Sequence, residues 1–301
     1  NMVYPLSSTS YLRLNGSATN AGNYETGSGI NPLTEYSTTD YTVILGTLLS
    51  DGSKLEVNYS NNRQDKVGYP GLMMDIAYSY TDMYTLKYHR VTPLGIFSAM
   101  NVELFNTDID HLMDNTTLRS GGTAMATPTS SDTYGGRIIG TIGSDIRAGI
   151  DYEHNTKNAE QTMAGTLNTY LWPDVETEKL GLFFEKDMKD ISYGLRYDQV
   201  ELDPTRADVD PGAGMMQHSA NTVYAVAANG GYASATKREF DNVSGFVRLN
   251  NLMNGSSYLS LSINERAPDA TELFNAKQNS SAMMRHVGNP HLSSERHMTI
   301  E

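Results

Sequence analysis

The sequence predicts an all-β chain, a segment of antiparallel transmembrane β-barrel with about twelve strands. Three observations carry this. Apolar and polar residues alternate with period two along most of the chain, and helical periodicity is almost absent. Tight turns and long polar links strictly alternate, as they do on the two rims of such a barrel. No run approaches the roughly 18–20 consecutive apolar residues of a membrane-spanning helix, with hydrophobic residues at 39% and mean hydropathy at −0.44.

The alternation defines runs near 8–18, 40–50, 53–62, 79–91, 95–109, 132–142, 145–155, 177–187, 190–201, 237–250, 256–266 and 293–301. In the third, Leu55, Val57 and Tyr59 alternate with Lys54, Glu56 and Asn58. In the fifth, Met100, Val102 and Leu104 oppose Asn101 and Glu103. Ile146, Ala148, Ile150 and Tyr152 oppose Arg147, Asp151 and Glu153, and Ile191, Tyr193, Leu195 and Tyr197 oppose Arg196 and Asp198. Leu259, Leu261 and Ile263 alternate with serines and Asn264. Each run therefore has one apolar and one polar face.

Turn chemistry separates the runs in pairs. Asp51-Gly52, Thr92-Pro93-Leu94, Gly143-Ser144, Met188-Lys189 and Asn254-Gly255 mark tight links. Between them the long links are 19–39, 62–78, 110–131, 156–176, 202–236 and 267–292. A soluble β-sandwich also alternates in and out, but gives no reason for every second loop to be long. Tyr59, Tyr88, Tyr152 and Tyr197 are expected on the apolar face near the long-loop ends, as a girdle at the lipid headgroups. Leu55, Val57, Ile146, Ile150, Leu195, Leu259 and Ile263 should then face lipid, and Arg147, Asp151 and Arg196 the lumen. All successive strands should pair antiparallel, and the strands near 8–18 and 293–301 should each keep an unpaired edge.

Composition excludes other classes. With 22 Lys+Arg against 35 Asp+Glu the net charge is −13, the wrong sign for tracking a phosphate backbone, so no nucleic-acid partner is expected. There is no cysteine, hence no disulfide, Cys-based zinc site or thiol nucleophile. No Gly-x-Ser-x-Gly elbow, His-Glu-x-x-His or Gly-x-x-x-x-Gly-Lys occurs, so neither an enzyme nor an organic cofactor is expected. The first residues lack the pattern of a signal peptide and the last lie in a strand-like run, so the sequence reads as a fragment.

Two stretches carry a family resemblance. Asn264-Glu265-Arg266-Ala267-Pro268-Asp269-Ala270-Thr271-Glu272-Leu273-Phe274, followed by Gly288-Asn289-Pro290-His291-Leu292-Ser293-Ser294-Glu295, resembles a motif pair of TonB-dependent receptor barrels, with Ser294 where that family usually has Pro. Asp108-Ile109-Asp110-His111-Leu112-Met113-Asp114-Asn115-Thr116-Thr117-Leu118-Arg119, with Met125-Ala126-Thr127-Pro128 and Asp132-Thr133-Tyr134-Gly135-Gly136-Arg137, is similar to the TonB-dependent copper receptors, as is Tyr69-Pro70-Gly71-Leu72-Met73-Met74-Asp75 upstream.

The resemblance implies that residues 1–301 belong to one 22-stranded receptor barrel of a Gram-negative outer membrane, without its N-terminal plug and C-terminal strands. It implies import energised by the TonB complex through that plug, lipid as the surrounding partner, and copper ion as the cargo. The alternatives are a siderophore- or cobalamin-type chelate receptor, and, from other classes, a passive porin or a secreted β-rich adhesion domain. The family's His-x-Met copper half-site falls on His111 and Met113, its other ligands being a plug Cys-x-x-x-Met. By period, both residues face the lumen, and imidazole with thioether suits Cu(I). On spacing alone the pair reads as a loop residue and an apolar filler. Met73-Met74, Met215-Met216 with His218, and Met283-Met284 with His286 fall in long links. They form either a thioether path for soft metal or, more simply, apolar packing over the mouth.

Overall fold

A computed structural model describes residues 1–215, 217–227, 234–255, 257–277 and 287–301. Thirteen strands form one sheet in chain order: β1(Met2–Pro5), β2(Ser10–Ala21), β3(Tyr36–Leu48), β4(Lys54–Val67), β5(Asp75–Arg90), β6(Ala99–Asp114), β7(Met125–Ile142), β8(Ile146–Met163), β9(Thr166–Asp187), β10(Ile191–Pro204), β11(Arg238–Asn251), β12(Ser257–Arg266) and β13(Glu295–Ile300). Every successive pair is antiparallel, as expected. Helices α1(Ala220–Ala227), α2(Leu252–Gly255) and α3(Ala270–Phe274) lie in links. No described helix is long and apolar enough to cross a membrane, which leaves crossing by strands untouched.

Register turns the period-two pattern into continuous rows. Val102, Ile138, Ile150, Leu182, Tyr197 and Val243 are successive cross-strand partners on β6 to β11. Val57, Leu86 and Leu104 do the same on β4 to β6. Leu195 at 63%, Val57 at 48%, Leu259 at 46%, Ile150 at 41% and Ile263 at 38% are exposed, while Leu55 and Ile146 are half-buried among neighbours of the same face. Exposed side chains this apolar, in unbroken rows, make a surface for lipid.

Tyrosines mark the loop-side limit of this outer face. Tyr59 stacks on Tyr84 and meets Tyr41 edge-on, with Tyr134 and Tyr152 in the same belt. Two residues further toward the loops, on the same face, Asp82, Asp108 and Asp132 are cross-strand partners, so solvated charge begins there. Tyr88 departs from the expectation: it lies at the opposite, tight-turn rim, where its hydroxyl donates to Ser53 Oγ at 3.2 Å. β5 runs from loop rim to turn rim, so its late residues cannot sit at the loops.

Further corrections concern link length and the sheet edge. The expected long link 156–176 is strand: β8 continues to Met163 and β9 starts at Thr166. Ala164 and Gly165, at φ 51° and 76°, close a two-residue turn that demands positive φ at both positions. Strict alternation of link length therefore fails at this hairpin, although rim still alternates. β9 has 22 residues where about 9–11 tilted residues cross a bilayer, so these strands stand well beyond it. The strand near 8–18 is not an edge, because β1 pairs with it. β13 pairs with β12, and among the described residues no ladder joins it to β1.

A compact core forms where no sandwich core would. Val175, Val200, Leu202 and Phe240 project from β9 to β11 on the inner face and pack with Ala220, Val223 and Tyr224 of α1 and Ala270, Leu273 and Phe274 of α3. Two long links are thereby fastened to the inner wall near the mouth. Ile150→Arg should destabilise the folded protein in lipid vesicles by about 2–4 kcal/mol, the cost of a cation at midplane depth. Denaturant titration in vesicles checks this, since the same change on a water-facing strand costs roughly 0.5 kcal/mol or less.

Candidate functional site

The inner face near the loop rim gathers the candidate ligands. β6 runs unbroken to Asp114, so His111 and Met113 lie within the strand ladder rather than beyond its end, opposite Ser79 and Ile76 on β5 and Thr129 and Thr127 on β7. They share the face of Ile109, which lines the inner cleft, so the period places both inward as expected. Both are half-buried.

A clasp braces this corner. The Arg119 guanidinium donates to both Asp75 carboxylate oxygens at 2.5 and 2.7 Å, and to the carbonyls of Leu72 and Tyr69 at 2.7 Å each. Asp75 is 1% exposed and also accepts from the Tyr69 backbone N–H. Asp114, opposite Asp75, accepts from the N–H groups of Thr116 and Thr117, and Asn115 bonds across to Thr123 and Met125. The 68–74 and 115–124 links are thus one unit, joined by charge-assisted bidentate geometry.

The Arg-Ala-Pro motif is a second brace. Asp269 caps α3 by accepting from the N–H groups of Thr271 and Glu272, and Glu272 accepts from the Asp269 N–H, a full capping box. Arg266 holds Glu272 and Glu295 together at 2.9–3.0 Å. That hydrogen bond keeps the Glu272 carboxyl below the ordinary glutamate range. Leu273 and Phe274 are fully buried, and the Phe274 carbonyl accepts from the Tyr224 hydroxyl, whose pKa burial pushes up.

Between the braces lies a cleft of about 670 Å³, lined by Asp151, Lys157, Lys179, Arg196, Asp198 and the 265–270 segment among others. Arg196 pairs with Asp151 at 2.9 Å and with Asp198. It can do so because Gly181 beneath carries no side chain; a Cβ there would strike the guanidinium. Arg147 also faces inward and pairs with Glu185 at 3.4 Å.

The remaining candidates scatter. Met73 is 73% exposed and Met74 half-buried; Met215 is 94% exposed. His218 is half-buried, its backbone N–H donating to the Asn168 carbonyl at 3.0 Å. Met216, Met283, Met284 and His286 lie outside the described residues. Among the described residues no group of three or more His, Cys, Asp or Glu could hold a metal ion. Sequence reasoning missed Arg119 as a clasp, for which only its paired acid 44 residues away is a signal. It also missed Val200 and Leu202, whose apolar character on the polar phase of β10 announces something folded against the inner wall.

Two outcomes follow from the braces. Arg119→Ala, which strands a buried carboxylate, should cost about 1.5–3 kcal/mol locally and expose the 115–124 link to protease, as limited proteolysis reads. Because Glu272 titrates lower when folded than unfolded, its bond to Arg266 is intact above the ordinary glutamate range and lost as pH falls through the lowered value. Exchange of the α3 amides should accelerate there in wild type, and that pH step should be absent in Glu272→Gln, whose amide oxygen still accepts from the Asp269 N–H but does not titrate.

No protein-family model matches the chain, and no curated protein matches it in sequence. Solved structures do. The copper transporter OprC superposes with a TM-score of 0.76 at 20% identity, covering 97% of this chain and 46% of that one. A double mutant of the Serratia marcescens hemophore receptor HasR, solved with its hemophore HasA and heme, gives 0.62 at 16% identity over the same shares. The Neisseria meningitidis iron transporter FrpB gives 0.53 at 10% identity, covering 90% and 43%. The chain spans less than half the length of each of these proteins. Its all-antiparallel sheet in chain order, outward apolar rows and long-loop rim share the fold of these transporters and this receptor over the span they superpose.

Proposed function

We propose that this chain forms part of an outer-membrane importer of a Gram-negative bacterium, energised through the TonB complex, and that its cargo is copper ion. The observation that carries the cargo is the placement of His111 and Met113 on successive inward positions of β6, at a corner braced by Arg119. An imidazole and a thioether are borderline-to-soft donors, matched to Cu(I) and poorly matched to Mg²⁺ or Ca²⁺. OprC, the copper transporter whose structure superposes at 0.76, supports the same reading. Two donors leave Cu(I) part-coordinated, so the site is completed by other groups, with the plug of the receptor fold as one source. No catalytic group is required: recognition is by ligand softness and release by rearrangement of the partner donors.

A second reading has its own observation. The cleft presents Lys157, Lys179, Arg196 and Arg266 to the lumen, cations that suit an anionic metal chelate such as a siderophore. Three of the four are already paired with Asp or Glu, which places this reading second.

The test is the double variant His111→Ala, Met113→Ala in the full-length protein. Copper bound after purification, measured by mass spectrometry, should fall from near one per chain to background, with the barrel still folded by its heat-shifted electrophoretic mobility. Full copper occupancy in the double variant returns the cargo to the chelate class.

A further inference from the structure

The outer wall carries a charged patch with no part in import. Loopward of the tyrosine belt, the outward residues of β4 to β7 are Asn61, Asp82, Asp108 and Asp132, each the partner of the next across the ladder. Three carboxylates thus stand directly opposite one another, an arrangement that destabilises a sheet unless positive charge meets it. Arg63 meets the first: its guanidinium pairs with Asp82 at 2.6 Å and lies over the Tyr80 ring at 4.8 Å. Asp108 and Asp132 are exposed, and among the described residues neither carboxylate has an ion pair or a hydrogen bond. Burial, and then the charges of Asp110, Asp132 and Asp82, raise the Asp108 carboxyl above the ordinary aspartate range. The missing counter-charge must come from outside the chain.

Resting on the outer-membrane part of the proposed function, we propose that this patch binds the phosphorylated sugar headgroup of an outer-leaflet glycolipid. Position supports it. Tyr59, Tyr84 and Tyr134 mark headgroup depth, and the acids lie two residues, about 6–7 Å of strand, further out on the same face. The Tyr59 hydroxyl donates to Asp82 at 2.6 Å, which ties belt and patch together. A second observation is independent of the acids. Asn61 is 3% exposed and donates its amide N–H to Asp82 at 2.6 Å, yet its carbonyl oxygen has no donor. Two residues on, along the same face of β4, the Arg63 Nη1 group has no acceptor. Polar groups this enclosed are seldom left unpaired. Together they call for a ligand that offers a hydroxyl beside an anionic oxygen, as a sugar phosphate does. Arg63 then holds a phosphate directly, and Asp108 and Asp132 reach the phosphates through a shared divalent cation. Hard cations of this kind take oxygen donors, and since the row is no chelate by itself, phosphate and water oxygens complete the shell.

The test uses the full-length protein in detergent micelles with lipid A added, and native mass spectrometry reads the lipid bound per chain. Wild type should retain lipid A in Mg²⁺ and bind it about tenfold more weakly in EDTA. Asp108→Asn, Asp132→Asn should bind at the EDTA level in both media, and Arg63→Gln should weaken binding about tenfold in both. Glu239→Gln, which changes an exposed acid of β11 outside the patch, should alter nothing. Asp108→Ser, Asp132→Ser is the second variant, should the asparagine protein not assemble by its heat-shifted mobility. Undiminished lipid A on the patch variants overturns the proposal. So does equal binding of phosphatidylglycerol in place of lipid A, which makes the patch a general anionic-lipid surface. The outer-membrane reading fails separately. Wild type that does not insert into vesicles of phosphatidylethanolamine and phosphatidylglycerol contradicts that reading, whereas protein that inserts but ignores lipid A contradicts the patch alone.

Discussion

Everything in this protein depends on one continuous backbone ladder. Within hydrocarbon no water is available to a backbone N–H or C=O, so each strand must satisfy its groups on its two neighbours. Residues opposite each other across a ladder share a face, and that face alternates strictly along the strand. Once the register of one pair is set, the facing of every side chain in the sheet follows from it. The row from Val102 to Val243 is therefore a consequence of pairing, and the same pairing delivers Asp151, Arg196 and Asp198 to one spot on the inner wall.

Departures from the period are where the chain does something other than cross a membrane. Val200 and Leu202 are apolar on the polar phase because α1 and α3 fold back onto them. Apolar side chains facing a wet lumen would otherwise cost transfer free energy of about 25 cal/mol per Å². The Arg266 and Arg238 guanidiniums tie the ends of that folded-in mass, Arg238 donating to the carbonyls of Pro290 and Leu292. At the other side of the mouth, the clasp from Arg119 to Asp75 does the same for the 68–74 and 115–124 links. The mouth is thus bordered by two braced units on a rigid wall, and His111 and Met113 sit beside one of them.

Much of this was legible in the residues. Alternation located twelve of the strands, because a half-buried strand must repeat every second residue, and Gly, Pro, Asn and Asp marked the tight-turn rim. The inward facing of His111 and Met113 followed from Asn101 and Glu103 on the same strand. What escaped was whatever the period does not encode. The strands β7 to β9 run on past the bilayer into sequence that is polar on both faces, such as Asn155-Thr156-Lys157-Asn158, and so reads as loop. β1 is four residues, too short to show a period. The bulge at Ala77, where the β5–β6 register shifts between Ile76 and Tyr78, leaves no compositional mark, since alanine is tolerated on either face, and the Asp75–Arg119 pair spans a sequence distance at which no local pattern operates. Tyr88 lies at the tight-turn rim because β5 runs toward it, a direction that the chain order of turns and loops determines.

The central claim is that facing obeys the register and, on β5, inverts at Ala77. The absence of cysteine from residues 1–301 allows this to be measured directly, by single-cysteine spin labels at successive positions of β5 and β6 in lipid vesicles, with collision to oxygen and to a water-soluble nickel chelate as readouts. The account predicts that Val102→Cys and Leu104→Cys report lipid and Glu103→Cys and Phe105→Cys report water. On β5, oxygen should dominate at Leu86→Cys and Tyr84→Cys. Beyond the bilayer, where both faces are wet, mobility replaces collision, and Ile76→Cys should be immobilised against Met113 while Tyr78→Cys, one step past the bulge, is free. A continuous even–odd period through Ala77, with Ile76→Cys free on the outer face, would contradict it.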